Sequence, residues 1–102
     1  MRERDVFEGQ LLEEAWLTLD QVAAACSVDP DWLLRHLEEG LFPQARGVAG
    51  VWRFSGAALL RARRMYRLER DFDAVPEMAA LVADLLEEMD ALRARLRRAG
   101  LD

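Results

Sequence analysis

The chain has 102 residues, 52% of them hydrophobic and 32% charged, which suits one folded domain with one core and excludes a disordered chain. No apolar run approaches the ~20 residues a bilayer-spanning helix needs, and the start MRERDVFEGQ lacks a signal peptide's apolar core, so a cytoplasmic protein without membrane contact is expected. The net charge of −5, in a chain whose basic side chains are all arginine, runs against a protein devoted to duplex DNA, because phosphate contact dominates that affinity; charge is local, so the balance alone does not exclude it.

Residues 1–15 carry Val6, Phe7, Leu11 and Leu12, which form a short strand or cover the core. Thr18 opens a capping box with Gln21, each side chain meeting the other residue's backbone donor. A short helix over Leu19–Cys26 follows, burying Leu19, Val22 and Ala23. Cys26 is the one cysteine and has no metal-ligating neighbours, so it reads as a small buried hydrophobe. Ser27-Val28 makes a turn, and Asp29-Pro30 starts a second helix, with Asp29 as cap and Pro30 in the first turn. That helix presents Leu33 and Leu37 on one face and ends at Gly40. Two short helices across a tight turn form a helix-turn-helix.

Gln44 to Gly50 reads as a loop, and Val51-Trp52-Arg53-Phe54 alternates like a strand. Loop and strand together make a wing. Ser55 caps a third helix over about Gly56–Arg70, with Leu59, Leu60, Met65, Tyr66 and Leu68 as its apolar positions. After a break at residues 72–75, Pro76 opens a last helix that runs to about Arg98. There Val82, Leu85, Met89, Leu92 and Leu96 step by three and four, a heptad seam. At ~1.5 Å per residue this rod is roughly 35 Å long. Acids (Glu77, Asp84, Glu87, Glu88 and Asp90) fill its first two-thirds, and Arg93, Arg95, Arg97 and Arg98 fill its end, as the helix dipole favours. The expected architecture is mainly α: a winged helix-turn-helix over residues 1–72, with 1–15 as an N-terminal segment, and a long amphipathic, coiled-coil-like helix over 73–102.

The order of these elements, with Gly40-Leu41, Pro43 and Trp52-Arg53-Phe54 at their junctions, resembles the MerR superfamily. Five stretches bring it nearest to one branch, the chaperone modulator CbpM family. They are Leu17–Gln21, His36–Pro43, Val51–Ala58, Arg64–Phe72 and the tail Leu81–Leu96. The likeness covers nearly everything from Trp16 onward. That family usually has an aromatic residue where Val75 stands. The resemblance implies a protein that binds the J-domain of a DnaJ-like, CbpA-type co-chaperone and blocks both its stimulation of a DnaK-type chaperone and its DNA binding.

In a DNA-binding relative the second helix enters the major groove, and the positions flanking its central leucine are polar. Here the flanks of Leu33 are Trp32 and Leu34. The helix also carries Asp29, Asp31, Glu38 and Glu39 against Arg35 alone, a balance that DNA repels and a basic protein surface attracts. J-domains present such a basic helix. Asp31, Trp32, Leu34, Arg35, Glu38 and Glu39 are therefore the expected partner-binding residues, with Trp32 and Leu34 as apolar anchors. The alternative is that Trp32 packs on the wing or the N-terminal segment and the acids are merely solvated.

The third helix is basic. Its Arg61, Arg64 and Arg67 are either phosphate contacts of a MerR-type DNA-binding regulator or a solvated face paired with the acids of the last helix. The seam residues Val82, Leu85, Met89, Leu92 and Leu96 are expected at a homodimer contact, the alternative being that this helix folds back on its own domain. No nucleophile, metal-ligand cluster or phosphate loop appears, and His36 stands alone, so neither an enzyme nor a cofactor or small-molecule ligand is expected.

Overall fold

The computed structural model describes residues 16–100, so the expectation of a strand or core cover over Val6–Leu12 lies outside the described residues. The elements in chain order are β1 (Leu17–Thr18), α1 (Leu19–Cys26), α2 (Pro30–Glu38), β2 (Ala45–Val48), β3 (Val51–Phe54), α3 (Gly56–Phe72) and α4 (Pro76–Arg98). The fold is mainly helical, with one small antiparallel sheet in the order β1-β3-β2.

Local chemistry sets the boundaries. The Thr18–Gln21 capping box forms in both directions, at 3.1 and 2.9 Å. The Asp29 carboxylate accepts from the Asp31 amide at 2.8 Å with Pro30 beside it in the first turn. Helix α2 ends in a Schellman motif: Gly40 takes a φ of 75°, its amide donates to the Leu37 carbonyl, and the Leu41 amide reaches back to His36. The Ser55 hydroxyl accepts from the Ala58 amide at the start of α3. That helix continues to Phe72, one half-turn beyond the expected Arg70, and stops at Asp73, which turns left-handed.

The segment read as a loop, Gln44 to Gly50, is a hairpin instead. β2 pairs with β3 through Ala45↔Phe54, Arg46↔Arg53, Gly47↔Trp52 and Val48↔Val51. Ala49 and Gly50 both have positive φ, the requirement of a two-residue type I′ turn. The sequence hides this strand because Ala45-Arg46-Gly47 lacks strand formers; pairing with β3 overrides propensity. Gly47 lies close under a partner: a Cβ there would stand 3.2 Å from the Trp52 ring and crowd it. Leu17 and Thr18 also join the sheet as β1, opposite Phe54 and Arg53.

The core gathers Val22, Leu33, Leu37, Phe42, Phe54, Ala58, Ala62 and Met65, and it continues without a break into Ala79, Ala80 and Ala83 of α4. Small residues on both helices let α3 and α4 approach closely. Leu60, expected to be apolar interior, is exposed instead, and its place facing α4 is taken by Arg61. Among the described residues no helix is long and apolar enough to cross a membrane.

Candidate functional site

The exposed part of α2 is narrower than the six residues expected from the sequence. Asp31, Arg35, Glu38 and Glu39 are exposed and Leu34 is half-buried. Trp32 is not a surface anchor: it is 9% exposed and belongs to the core. It sits one turn before His36 on α2, which carries both rings inward toward α3. The Trp32 and His36 rings lie 4.0 Å apart, and Tyr66 meets the indole edge-on at 5.4 Å.

What holds Trp32 inward is a polar network between residues far apart in the chain. The Glu69 carboxylate, from α3, accepts from the Trp32 indole N–H at 2.9 Å and from His36 Nε2 at 2.7 Å. His36 Nδ1 donates to the Trp32 carbonyl at 2.7 Å. Both ring nitrogens therefore face acceptor oxygens, and His36, 4% exposed, is fully engaged. It is a structural residue joining α2 to α3. The spacing of Trp32 and His36 by one helical turn was visible in the sequence. Their partner thirty-three residues beyond His36 was not.

With Trp32 withdrawn, the outer face of α2 is polar and predominantly anionic. Asp29, Asp31, Glu38 and Glu39 are exposed against Arg35, with Leu34 the apolar side chain among them. A surface with this balance is repelled by a phosphate backbone and drawn to a cationic protein surface.

Two of the three arginines weighed as phosphate contacts are already committed. Arg61 is 2% exposed; its guanidinium donates to the Leu41 carbonyl at 2.9 Å and pairs with Asp84 at 2.8 Å and Glu87 at 3.0 Å. Arg64 pairs with Asp90 at 2.9 Å. Both point to α4, Arg61 buried and Arg64 partly so; Arg67 alone of the three is exposed. The two arginines of the third helix that face α4 are thus offset by the acidic start of the fourth within one chain. The wing presents two arginines instead. Arg46 and Arg53 stand directly opposite one another on its solvent face, with exposed Val48 and Val51 at the tip. Arg46 was missed as part of this pair because its strand was read as a loop.

On α4, the face turned to α3 is built of alanine. The seam residues Leu85, Met89, Leu92 and Leu96 are 43–56% exposed, with Met78 and Leu81 continuing their stripe toward the helix start. Val82 differs from the rest of the seam in being partly buried. Folding back on the winged domain therefore occurs through a different face and leaves this stripe exposed among the described residues. Among the described residues no group of histidine, cysteine, aspartate and glutamate is placed to hold a metal ion.

A family model described as MerR HTH family regulatory protein matches residues 17–99. No curated protein and no solved structure shows significant similarity to the chain.

Proposed function

The chain belongs to the family of MerR HTH regulatory proteins, and from that premise we propose that it regulates by gripping a protein rather than a DNA groove: a chaperone modulator that binds the J-domain of a DnaJ-like co-chaperone and inhibits its co-chaperone and DNA-binding activities. The observation that carries this reading is the character of α2. The helix that reads the groove in DNA-binding members exposes Asp29, Asp31, Glu38 and Glu39 against the lone Arg35. Phosphate oxygens are unfavourable neighbours for that surface, and the basic helix of a J-domain is a favourable one. With Trp32 held in the core, Leu34 is the apolar contact and the acids supply orientation. The exposed stripe on α4 supports a second part of the proposal, a homodimer joined through Leu85, Met89, Leu92 and Leu96, with Val82 at its edge.

The test is titration of the protein with the J-domain of the co-chaperone made by the same cell. Wild type binds, and Glu38→Lys together with Glu39→Lys weakens binding by about tenfold or more. An unchanged affinity in the folded double variant removes this surface from the account.

One observation favours a MerR-type DNA-binding transcriptional regulator. The wing's Arg46 and Arg53 form a like-charged cross-strand pair, which is unfavourable by itself and becomes favourable against phosphates. A mobility shift on a specific duplex at moderate salt, lost in Arg46→Gln/Arg53→Gln, would decide for that reading.

A further inference from the structure

Five arginines lie on α3, and they divide into two sets. Arg61 and Arg64 turn to the carboxylates of α4. Arg63, Arg67 and Arg70 follow one another at four and three residues, so they share the opposite face of the helix. The structure gathers these three, with Tyr66, around a cleft of about 130 Å³ closed on its far side by Ala25 and Cys26 at the end of α1. Three guanidinium groups on adjacent turns repel one another, and like-charged pairs at this spacing destabilise a helix.

What offsets that repulsion within the described residues is slight. Arg70 bonds to its neighbour Asp71 at 2.9 Å, an exposed pair of small worth, and its guanidinium also lies 5.8 Å from the Tyr66 ring centre. No carboxylate of the described residues pairs with Arg63 or Arg67. The Cys26 thiol adds no negative charge: burial pushes its pKa above the ordinary 9.0, and Arg63 offsets only part of that. The cleft is thus a concentrated positive site in a chain whose net charge is −5.

We propose that this cleft between α1 and α3 is a binding site for a small phosphate oxyanion, held by Arg63, Arg67 and Arg70. Guanidinium forks match tetrahedral oxyanions in geometry as well as charge. The cleft's small volume suits one such group, a free phosphate or the terminal phosphate of a small metabolite. It lies on α3, away from the outer face of α2, so it stands or falls independently of the partner proposed above.

Titration of the full chain with inorganic phosphate at constant ionic strength, followed by amide NMR shifts, tests the site. Saturable shifts confined to residues around Cys26, Arg63, Tyr66, Arg67 and Arg70, with millimolar or tighter affinity, are expected. Arg67→Gln should weaken binding roughly tenfold, whereas the wing variant Arg53→Gln, with the same loss of charge, should leave it unchanged. Repeating the titration with a small phosphomonoester distinguishes the two sources: tighter binding than inorganic phosphate assigns a phosphorylated metabolite, equal binding assigns phosphate itself. Shifts that do not saturate, that spread over all the arginines, or that weaken equally in both variants overturn the proposal.

Discussion

Single residues carry more of this fold than their types announce. Ala49 adopts a φ of 54° in the wing turn, a left-handed conformation that costs an L residue with a Cβ roughly 1 kcal/mol. Ala49→Asn creates an Asn-Gly type I′ turn, and it is expected to stabilise the protein by about 0.5–1 kcal/mol, read as a higher urea midpoint with an unchanged slope. Glu69 gives a sharper test. Its two oxygens serve two donors from α2, the Trp32 indole and His36 Nε2. Glu69→Ala strands both and should cost about 2–3 kcal/mol. Glu69→Gln keeps an oxygen for the indole and offers an N–H to a neutral His36 ring, whose Nδ1–H still donates to the Trp32 carbonyl. Its loss should stay near 1 kcal/mol, and equal losses in the two variants, by denaturant unfolding, would show that the carboxylate's charge, rather than packing or a neutral hydrogen bond, holds the network.

Among elements, the junction of α3 and α4 rests on alanines and one buried arginine. Ala79, Ala80 and Ala83 are buried and small enough to bring the backbones together, and Arg61 spans the seam from the Leu41 carbonyl to Asp84 and Glu87. Asp84 is partly exposed and can regain water when its partner is lost, which moderates the cost. The Leu41 carbonyl and the space around the stem cannot recover as easily. Arg61→Met is therefore expected to destabilise by about 2 kcal/mol, and Arg61→Lys to recover only part of it, since one ammonium cannot reach both the carbonyl and the two acids. Thermal unfolding of the pair of variants checks both statements. The same junction explains why the periodicity of α4 does not reveal its contact with α3. The periodicity marks a face that buries apolar surface somewhere, but the alanine face that meets α3 has little hydrophobic contrast. The leucine stripe was legible and the intramolecular contact was not.

At the scale of the whole molecule, an uncovered stripe from Met78 to Leu96 and a reversal of charge along α4 act together. Two copies paired through this stripe in antiparallel order set the terminal arginines of each against the acidic first half of the other, whereas parallel order sets like on like. The expected species in sedimentation at tens of micromolar is a dimer, converted to monomer by Leu85→Glu with Leu92→Glu at unchanged helix content. Spin labels at Ala99 of the two copies should lie tens of ångströms apart, on the order of the ~35 Å helix length, rather than adjoining. The acidic face of α2 makes a further demand: association with a basic J-domain surface should slow steeply as salt rises, with dissociation less affected.

Much was legible from residue order alone. The caps at Thr18, Asp29 and Ser55, the stop at Gly40 and the opening at Pro76 are local signals, satisfied by atoms three or four residues away, and they placed the helices within a residue or two. The family likeness and the anionic bias of α2 were equally local. Three matters were decided only by the folded chain: that Ala45–Val48 is a strand, that Trp32 turns inward to Glu69, and that Arg61 and Arg64 spend their charge on α4. Each depends on a partner that sequence distance conceals, because a strand with weak propensity, an indole between core and surface, and an arginine between solvent and carboxylate take their state from whatever the fold brings beside them.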